Sequence, residues 1–378
     1  MNNEFHQEIK DQIKKFRLEK IEPHLEKDDQ EGVFRKELFS QLGELGFTGM
    51  TIPESYGGAG LSYTDFCVFL EELSKSSVPY AITVSVSSMV QSILNSFGTE
   101  DQKQSYLPEL TSGREIAAFA LSESGSGSDA SSLKTTAKET EESFILNGSK
   151  LWITSGGIAK TYIVMARTGD ESSRGVTSFI IRDGDPGFSY GKKESKMGWR
   201  TSPTRELLFQ NCEIPKNRVI GELNQGMKVA LSALDAGRIT IGAISVGLSQ
   251  RALDEALSYS LSREQFGQKI FEFQGLQFML SDMAIETESS RLLVYHAASL
   301  LDEGSSDPMI SSMAKLKSSD TAMSVSTDAV QILGGVGYTT EYPVERLMRD
   351  AKVLQIVEGT NQIQRVVIAR QLRKSFNK

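Results

Sequence analysis

Cysteine is scarce in this chain: Cys67 and Cys212 are the only two in 378 residues, and they lie far apart. That excludes the disulfide framework of small secreted domains and fits a reducing compartment, where apolar packing is the ordinary role of such residues. Histidine is nearly as rare. His6, His24 and His296 share no spacing with one another or with the cysteines, so the combinations that build zinc sites are missing and no metal is expected. The chain also lacks a basic excess. Its 41 Lys and Arg stand against 49 Asp and Glu, a net charge of -8, which disfavours binding to phosphate backbones, so no nucleic-acid partner is expected. No run reads as long enough to span a bilayer, and no membrane partner is expected. The opening Met1-Asn2-Asn3-Glu4-Phe5 has neither a basic stretch leading into an apolar run nor an Arg-rich, acid-poor character, so no retained targeting peptide is expected.

What is present is ordinary globular composition, 39% hydrophobic and 24% charged, which excludes a disordered, collagenous or coiled-coil identity. Phe5, Ile9, Ile13 and Phe16 recur at helical spacing as far as Pro23, and Phe34, Leu38, Leu42 and Leu45 repeat the pattern. From about Glu115 the texture changes to short apolar runs broken by turns: Phe144–Leu146, Leu151–Ile153, Tyr162–Met165 and Thr177–Ile181. Asn147-Gly148 between the first two is a hairpin signal, because a type I′ turn needs residues that tolerate positive φ. Beyond Gly221 helical spacing returns over Ile244–Tyr259, Leu276–Leu301 and Met309–Leu333. Helices, then strands, then helices predict an α+β chain of three lobes rather than alternating βαβ units.

Two glycine-rich stretches invite comparison with nucleotide loops. Leu121–Asp129 lacks the Gly-Lys-Ser/Thr ending of a phosphate loop, and Gly334–Tyr338 does not follow a strand with dinucleotide spacing. On composition alone, plain turn roles account for both.

Taken in order, however, Phe119–Glu123 with Gly127-Ser128-Asp129, Leu151–Thr154, Lys196–Arg200, Arg263–Gly267, Gln331–Gly335, Pro343–Arg346, Arg349-Asp350 and Glu358–Thr360 resemble the acyl-CoA dehydrogenase family over nearly the whole chain. Its short-chain, butyryl-CoA type members look most similar. The resemblance implies an N-terminal α-helical domain over 1–114, a central β-barrel-like domain over 115–223 and a C-terminal four-helix bundle over 224–378, assembled as a homotetramer. It further implies FAD-dependent α,β-dehydrogenation of acyl-CoA thioesters to trans-2-enoyl-CoA, as in fatty acid β-oxidation, with electrons passed to an electron-transfer flavoprotein. The location it implies is cytoplasmic for a bacterial protein and the mitochondrial matrix for a processed eukaryotic one. A flavin oxidase or nitroalkane-oxidising relative, and a non-catalytic acyl-CoA-binding protein, are the alternatives on the same scaffold.

Residue by residue, Glu358 matches the catalytic base; its bland alternative is a charge favoured by the N-terminus of the last helix. Some family members carry the base at the position of Gly237, and a glycine cannot abstract a proton. For FAD, Leu121 and Ser122 match contacts to the pyrimidine edge, Trp152 packing on the isoalloxazine, and Thr154 a hydrogen bond near N5. Trp152 alone could equally be core. Arg263, Gln265, Phe266 and Gln274 match the adenosine-side surface offered to a neighbouring subunit, with Gln331, Leu333, Gly334 and Gly335 from the partner chain; Thr360 and Gln362 match further FAD contacts. Arg263 could instead form a surface ion pair. For the thioester, Ser128 matches a contact to the CoA arm, Asp235 and Arg238 contacts to pantetheine, and Gly359 a neighbour of the thioester. Asp235 and Arg238, three apart on a helix, could also be an ordinary intrahelical pair.

Three positions depart from the family pattern: Ser124 stands for a common proline, Ser155 for a frequent asparagine, and Val357 for the tyrosine that often precedes the base. The last would remove an aromatic wall from the acyl pocket. The segment Ala81–Gly98, expected to floor that pocket, contains no charge, which disfavours glutaryl-type substrates. Saturated, uncharged short- to medium-chain acyl-CoA is the expected substrate.

Overall fold

The apolar spacing at the N-terminus does produce helices. In the computed structural model, which describes residues 3–169 and 175–376, α1 (Asn3–Phe16) buries Ile9, Ile13 and Phe16. The chain then passes through a π turn over Arg17–Ile21 and a 3₁₀ turn over Glu22–His24, where Pro23 sits, before α2 (Leu25–Glu31) and α3 (Lys36–Glu44). α4 (Tyr63–Ser74) opens on a capping box, the Ser62 hydroxyl accepting from the Asp65 N–H while Asp65 accepts from the Ser62 N–H. α5 (Val78–Phe97) buries sixteen of its twenty residues, so it is packed on most sides rather than along one stripe. α6 (Glu100–Thr111) closes the first lobe.

Strands begin at Ala117: β1 (Ala117–Ala120), β2 (Thr136–Glu139), β3 (Ser143–Thr154), β4 (Thr161–Arg167), β5 (Val176–Arg182), β6 (Phe188–Lys193), β7 (Thr204–Pro215) and β8 (Val219–Ile220). The sheet runs β6-β7-β3-β2-β4-β5-β8, with β1 pairing parallel to β4 off that path. Asn147-Gly148 does not make the expected hairpin. β3 runs straight through it, with a register shift against β7 between Leu146 and Gly148. The dipeptide forms a bulge there. A Cβ on Gly148, at φ 140°, would lie 2.8 Å from the Thr135 Cα, and the Asn147 carboxamide oxygen accepts from the Asn211 N–H at 2.8 Å. Long-range pairing with β2 and β7 thus overrides the local turn preference.

The last lobe is helical: α7 (Gly226–Ser262), a small β9 (Glu264–Gln265) and β10 (Gln268–Lys269) ribbon, α8 (Gln274–Asp302), α9 (Pro308–Leu333), α10 (Val344–Leu354) and α11 (Asn361–Phe376). Three long helices form the bundle and the two shorter ones complete it. One correction concerns α7, whose 37 residues include a window of mean hydropathy 1.4, long and apolar enough by length and composition to cross a bilayer. That window is 72% buried inside the protein, so α7 is a core helix.

One continuous cluster, including Phe39, Phe69, Phe179, Ile244 and Leu347, runs through all three lobes. A polar junction reinforces it. The Trp199 N–H donates to Asp350 Oδ1 at 2.6 Å and its indole Nε1 to the Asp350 carbonyl at 3.1 Å, while Arg349 pairs with Asp29 of the first lobe at 2.7 Å. The motifs Lys196–Arg200 and Arg349-Asp350 are therefore joints between lobes. Both cysteines are buried and unpaired, and burial pushes the Cys212 thiol up to about 12, as apolar packing residues require.

Candidate active site

A non-glycine residue held at positive φ stores strain of about 1 kcal/mol or more, and Glu358 is one, at φ 54° in the turn between α10 and α11. The turn is pinned from within. Gln364 Nε2 donates to the carbonyls of Glu358 and Gly359 at 3.0 and 2.9 Å, and Lys315 Nζ donates to the Gly359 carbonyl at 3.0 Å and to Asn361 Oδ1 at 2.7 Å. The Glu358 side chain points at α7. A Cβ placed on Gly237 would stand 2.8 Å from Glu358 Oε2 and 2.7 Å from the Met89 methyl. Oε2 is buried and finds no hydrogen-bond partner among the described residues.

The carboxyl therefore does not serve as an N-terminal charge on α11, where the Thr360 hydroxyl instead accepts from the Ile363 N–H at 3.3 Å. Burial pushes Glu358 up to about 7, against the opposing pull of Arg238 and Lys315. A carboxyl poised near neutrality suits proton abstraction from carbon. The Glu358 N–H also meets no backbone acceptor among the described residues, leaving a donor beside the carboxyl.

Asp235 and Arg238 do form the intrahelical pair, at 2.5 Å. The pair does not exhaust the arginine: its Nε is buried without a hydrogen-bond partner among the described residues, and its charge acts on Glu358. Gly237 lines a narrow pocket of about 10 Å³, room for little more than one water, between α4, α5 and α7, bounded by Tyr63, Phe66, Ser88, Met89 and Ala236. No charged side chain lines it, so a free carboxylate entering it would lose its hydration without a partner.

In the central lobe, the Leu151 N–H donates to the Ser122 carbonyl at 2.9 Å and buried Lys150 donates to the Leu121 carbonyl at 3.1 Å, which sets Leu121 and Ser122 beside β3. Trp152 is not core. It is 54% exposed, at φ 59°, where β3 and β7 lose register between Lys150 and Ile153. A strained bulge presenting an indole outward is costly unless something covers it. Thr154 follows, half-buried, and Ser155 has a buried hydroxyl with no partner among the described residues. Ser128 sits exposed in the loop after β1.

A second cavity, of about 480 Å³, is lined by Arg263, Gln265, Phe266, Leu333 and Gly335. One chain thus brings both halves of the expected adenosine-side surface together. Arg263 makes no ion pair among the described residues, so the surface-pair alternative fails, and Phe266 at φ 53° is 93% exposed. Gly334 and Gly335 have no atom within 4 Å of an added Cβ, leaving room for close approach. Gln274 and Gln331 lie exposed outside the lining, and Gln362 is exposed on α11. No hydrogen bond among the described residues joins the Trp152 set or the Arg263 set to Glu358.

Sequence reasoning missed Lys315, Gln364 and Asn361, all buried around the Glu358 turn. A signal existed for the first: Lys315 lies among Ser311, Ser312, Ser318 and Ser319 on α9, small residues whose helical spacing marks a buried face.

Residues 3–114, 118–212 and 224–373 match the families described as acyl-CoA dehydrogenase N-terminal, middle and C-terminal domains. "Probable acyl-CoA dehydrogenase FadE25" of Mycobacterium tuberculosis is 45% identical over 98% of this chain and 95% of its own length. The butyryl-CoA dehydrogenase structure from Megasphaera elsdenii superposes with a TM-score of 0.96 at 42% identity, covering 98% of this chain and 99% of that one. A chain of the structure described as an electron transferring flavoprotein of Acidaminococcus fermentans superposes at 0.97, with 45% identity and 98% coverage of both. The chain belongs to the acyl-CoA dehydrogenase family.

Proposed function

We propose that this oxidoreductase carries FAD and introduces the α,β double bond into short- to medium-chain acyl-CoA, with Glu358 as base. One observation carries the reading: a buried carboxyl, pushed up to about 7 and without a hydrogen-bond partner for Oε2 among the described residues, facing Gly237, which lines an uncharged pocket. The residues suit a flavin dinucleotide, since an exposed indole beside the Leu121–Ser122 backbone offers a ring-packing surface and the unpaired Arg263 lines a cavity fit for phosphate and adenosine. When bound, the flavin supplies the hydride acceptor for the β carbon.

The chain's own residues do the rest. Glu358 takes the proton from the α carbon, and its free N–H is placed to donate to the thioester oxygen as negative charge develops there. Arg238 faces the carboxyl and favours its ionised form. We assign Ser128 to the CoA arm, Asp235 with Arg238 to pantetheine and Gly359 to the thioester, and Thr154, Thr360, Gln362, Gln274 and Gln331 to the flavin. Likeness to a chain in an electron-transferring flavoprotein structure supports such a protein as electron acceptor. Anaerobic mixing with butyryl-CoA or hexanoyl-CoA should bleach the oxidised flavin spectrum. Unchanged absorbance across a chain-length panel would overturn the reading, and rapid reoxidation by oxygen would favour an oxidase.

We propose a homotetramer as the working form. Phe278, Ile285 and Leu292 recur every seventh residue on α8 and are 59, 63 and 65% exposed, an apolar stripe of the kind that subunit contacts cover. Ile285→Glu should lower the solution mass measured by light scattering and weaken FAD retention together. A wild-type monomer, or an Ile285→Glu variant with unchanged mass, would count against this assembly.

A further inference from the structure

Lys315 is a buried cation for which the chemistry just described has no use. Its side chain is fully buried on α9, and its ammonium meets two neutral oxygens, the Gly359 carbonyl and Asn361 Oδ1, rather than a carboxylate. Burying an ammonium on neutral acceptors alone is expensive, and a polar neutral residue could hold the same carbonyl more cheaply. The turn it grips is the strained one, Glu358 at φ 54° followed by Gly359 at φ 86°, and Gln364 already donates to both carbonyls. A cation is therefore more than the geometry of the turn demands.

Charged groups reach the Glu358 carboxyl from few directions. α7 presents Asp235 and Arg238, and that arginine is already paired with that aspartate. α9 presents Lys315 and Asp320, the latter accepting from Asn361 and Gln355 and paired with Arg365 of α11. α5 presents only the Met89 methyl. Lys315 is thus the one cation among these without a carboxylate partner.

Resting on the assignment of Glu358 as the base, we infer that Lys315 is a positioning residue whose ammonium locks the left-handed Glu358–Gly359 turn and keeps Glu358 ionised when substrate excludes water. Titration agrees in direction. Burial pulls Lys315 down to about 7 while Glu358, then Asp320, raise it, and Arg238 and then Lys315 lower Glu358. The two groups therefore exchange influence around pH 7.

The test uses the flavin-loaded enzyme with Lys315→Met and Lys315→Gln, and reads the acid limb of kcat/KM against pH. Loss of a nearby positive charge should move that limb up by about one pH unit, an activity deficit of about tenfold below it that closes at high pH. A merely structural lysine would lower activity at every pH and leave the limb in place, and that result would overturn the inference. A second readout needs no substrate: the protonated-carboxyl infrared band absent from Glu358→Gln should titrate about one unit higher in the lysine variants. This separates the two claims, because the band reports the coupling even if no acyl-CoA bleaches the flavin. Should neither lysine variant fold, Glu358→Gln carries the test. The ¹³C-lysine resonance that titrates near neutrality should fall by about one unit when Glu358 loses its charge, and an unmoved resonance would overturn the coupling.

Discussion

Glu358→Gln should retain flavin and acyl-CoA binding and lose turnover by roughly 10⁴-fold, the upper range for removing a general base. Shape is preserved, so the loss would be in kcat with little change in ligand affinity. Stability should move the other way, with a pH dependence that can be signed. Glu358 has a folded pKa raised from 4.5 to about 7, so the folded state holds its proton more tightly than the unfolded chain does. Below about pH 4.5 the carboxyl is protonated in both states and contributes no difference. Between that pH and about 7 the unfolded chain ionises first, which draws stability from the native state, and the deficit is complete above 7. The glutamine variant escapes it. Its melting temperature should therefore rise relative to wild type as pH increases from 4.5 to 7, by an equivalent of about 3 kcal/mol at pH 8. Equal melting curves at pH 8, or wild-type turnover, would show that the carboxyl is solvated and the base lies elsewhere.

Much of this was legible in the sequence because the informative residues face local constraints. Helical spacing placed Ile9, Ile13, Leu38 and Leu42 in the core before any coordinates, and the three long C-terminal helices follow from their periodicity. Glu358, Trp152 and Arg263 were legible through ordered motifs. What escaped depends on contacts far apart in the chain. Asn147-Gly148 carries a turn preference of its own, yet β3 pairs with β7 along its length and with β2 over Phe144–Asn147, and the dipeptide yields as a bulge. The bilayer-length window in α7 escaped because its helix is broken on paper by Ser, Gly and Thr, whereas in three dimensions those small residues let α7 sit against α4, α5 and α9. Lys315 escaped for the same reason: its importance comes from a turn 43 residues later, the separation between Lys315 and Glu358, which local pattern cannot join.

Gly237→Ala should produce the second largest effect, and it tests the geometry rather than the chemistry of the site. The new methyl would stand 2.8 Å from Glu358 Oε2 and 2.7 Å from the Met89 methyl, both flexible side-chain ends, so the backbone need not move. Folding should survive: Gly to Ala inside a helix gains up to about 1 kcal/mol of propensity, which offsets part of the crowding. The carboxyl, however, must swing away from α7 and from the cavity that Gly237 borders. A displacement near 1 Å at a reacting group costs about 10²-fold, so kcat should fall by about that factor while the melting temperature stays within a few degrees. The spectral response to a non-reacting acyl-CoA analogue should persist, since the groups proposed to hold the ring and the CoA arm are untouched. If Gly237→Ala turned over at the wild-type rate, Glu358 would not be pressed against α7 in the working enzyme, and the placement of the base argued from that contact would be wrong.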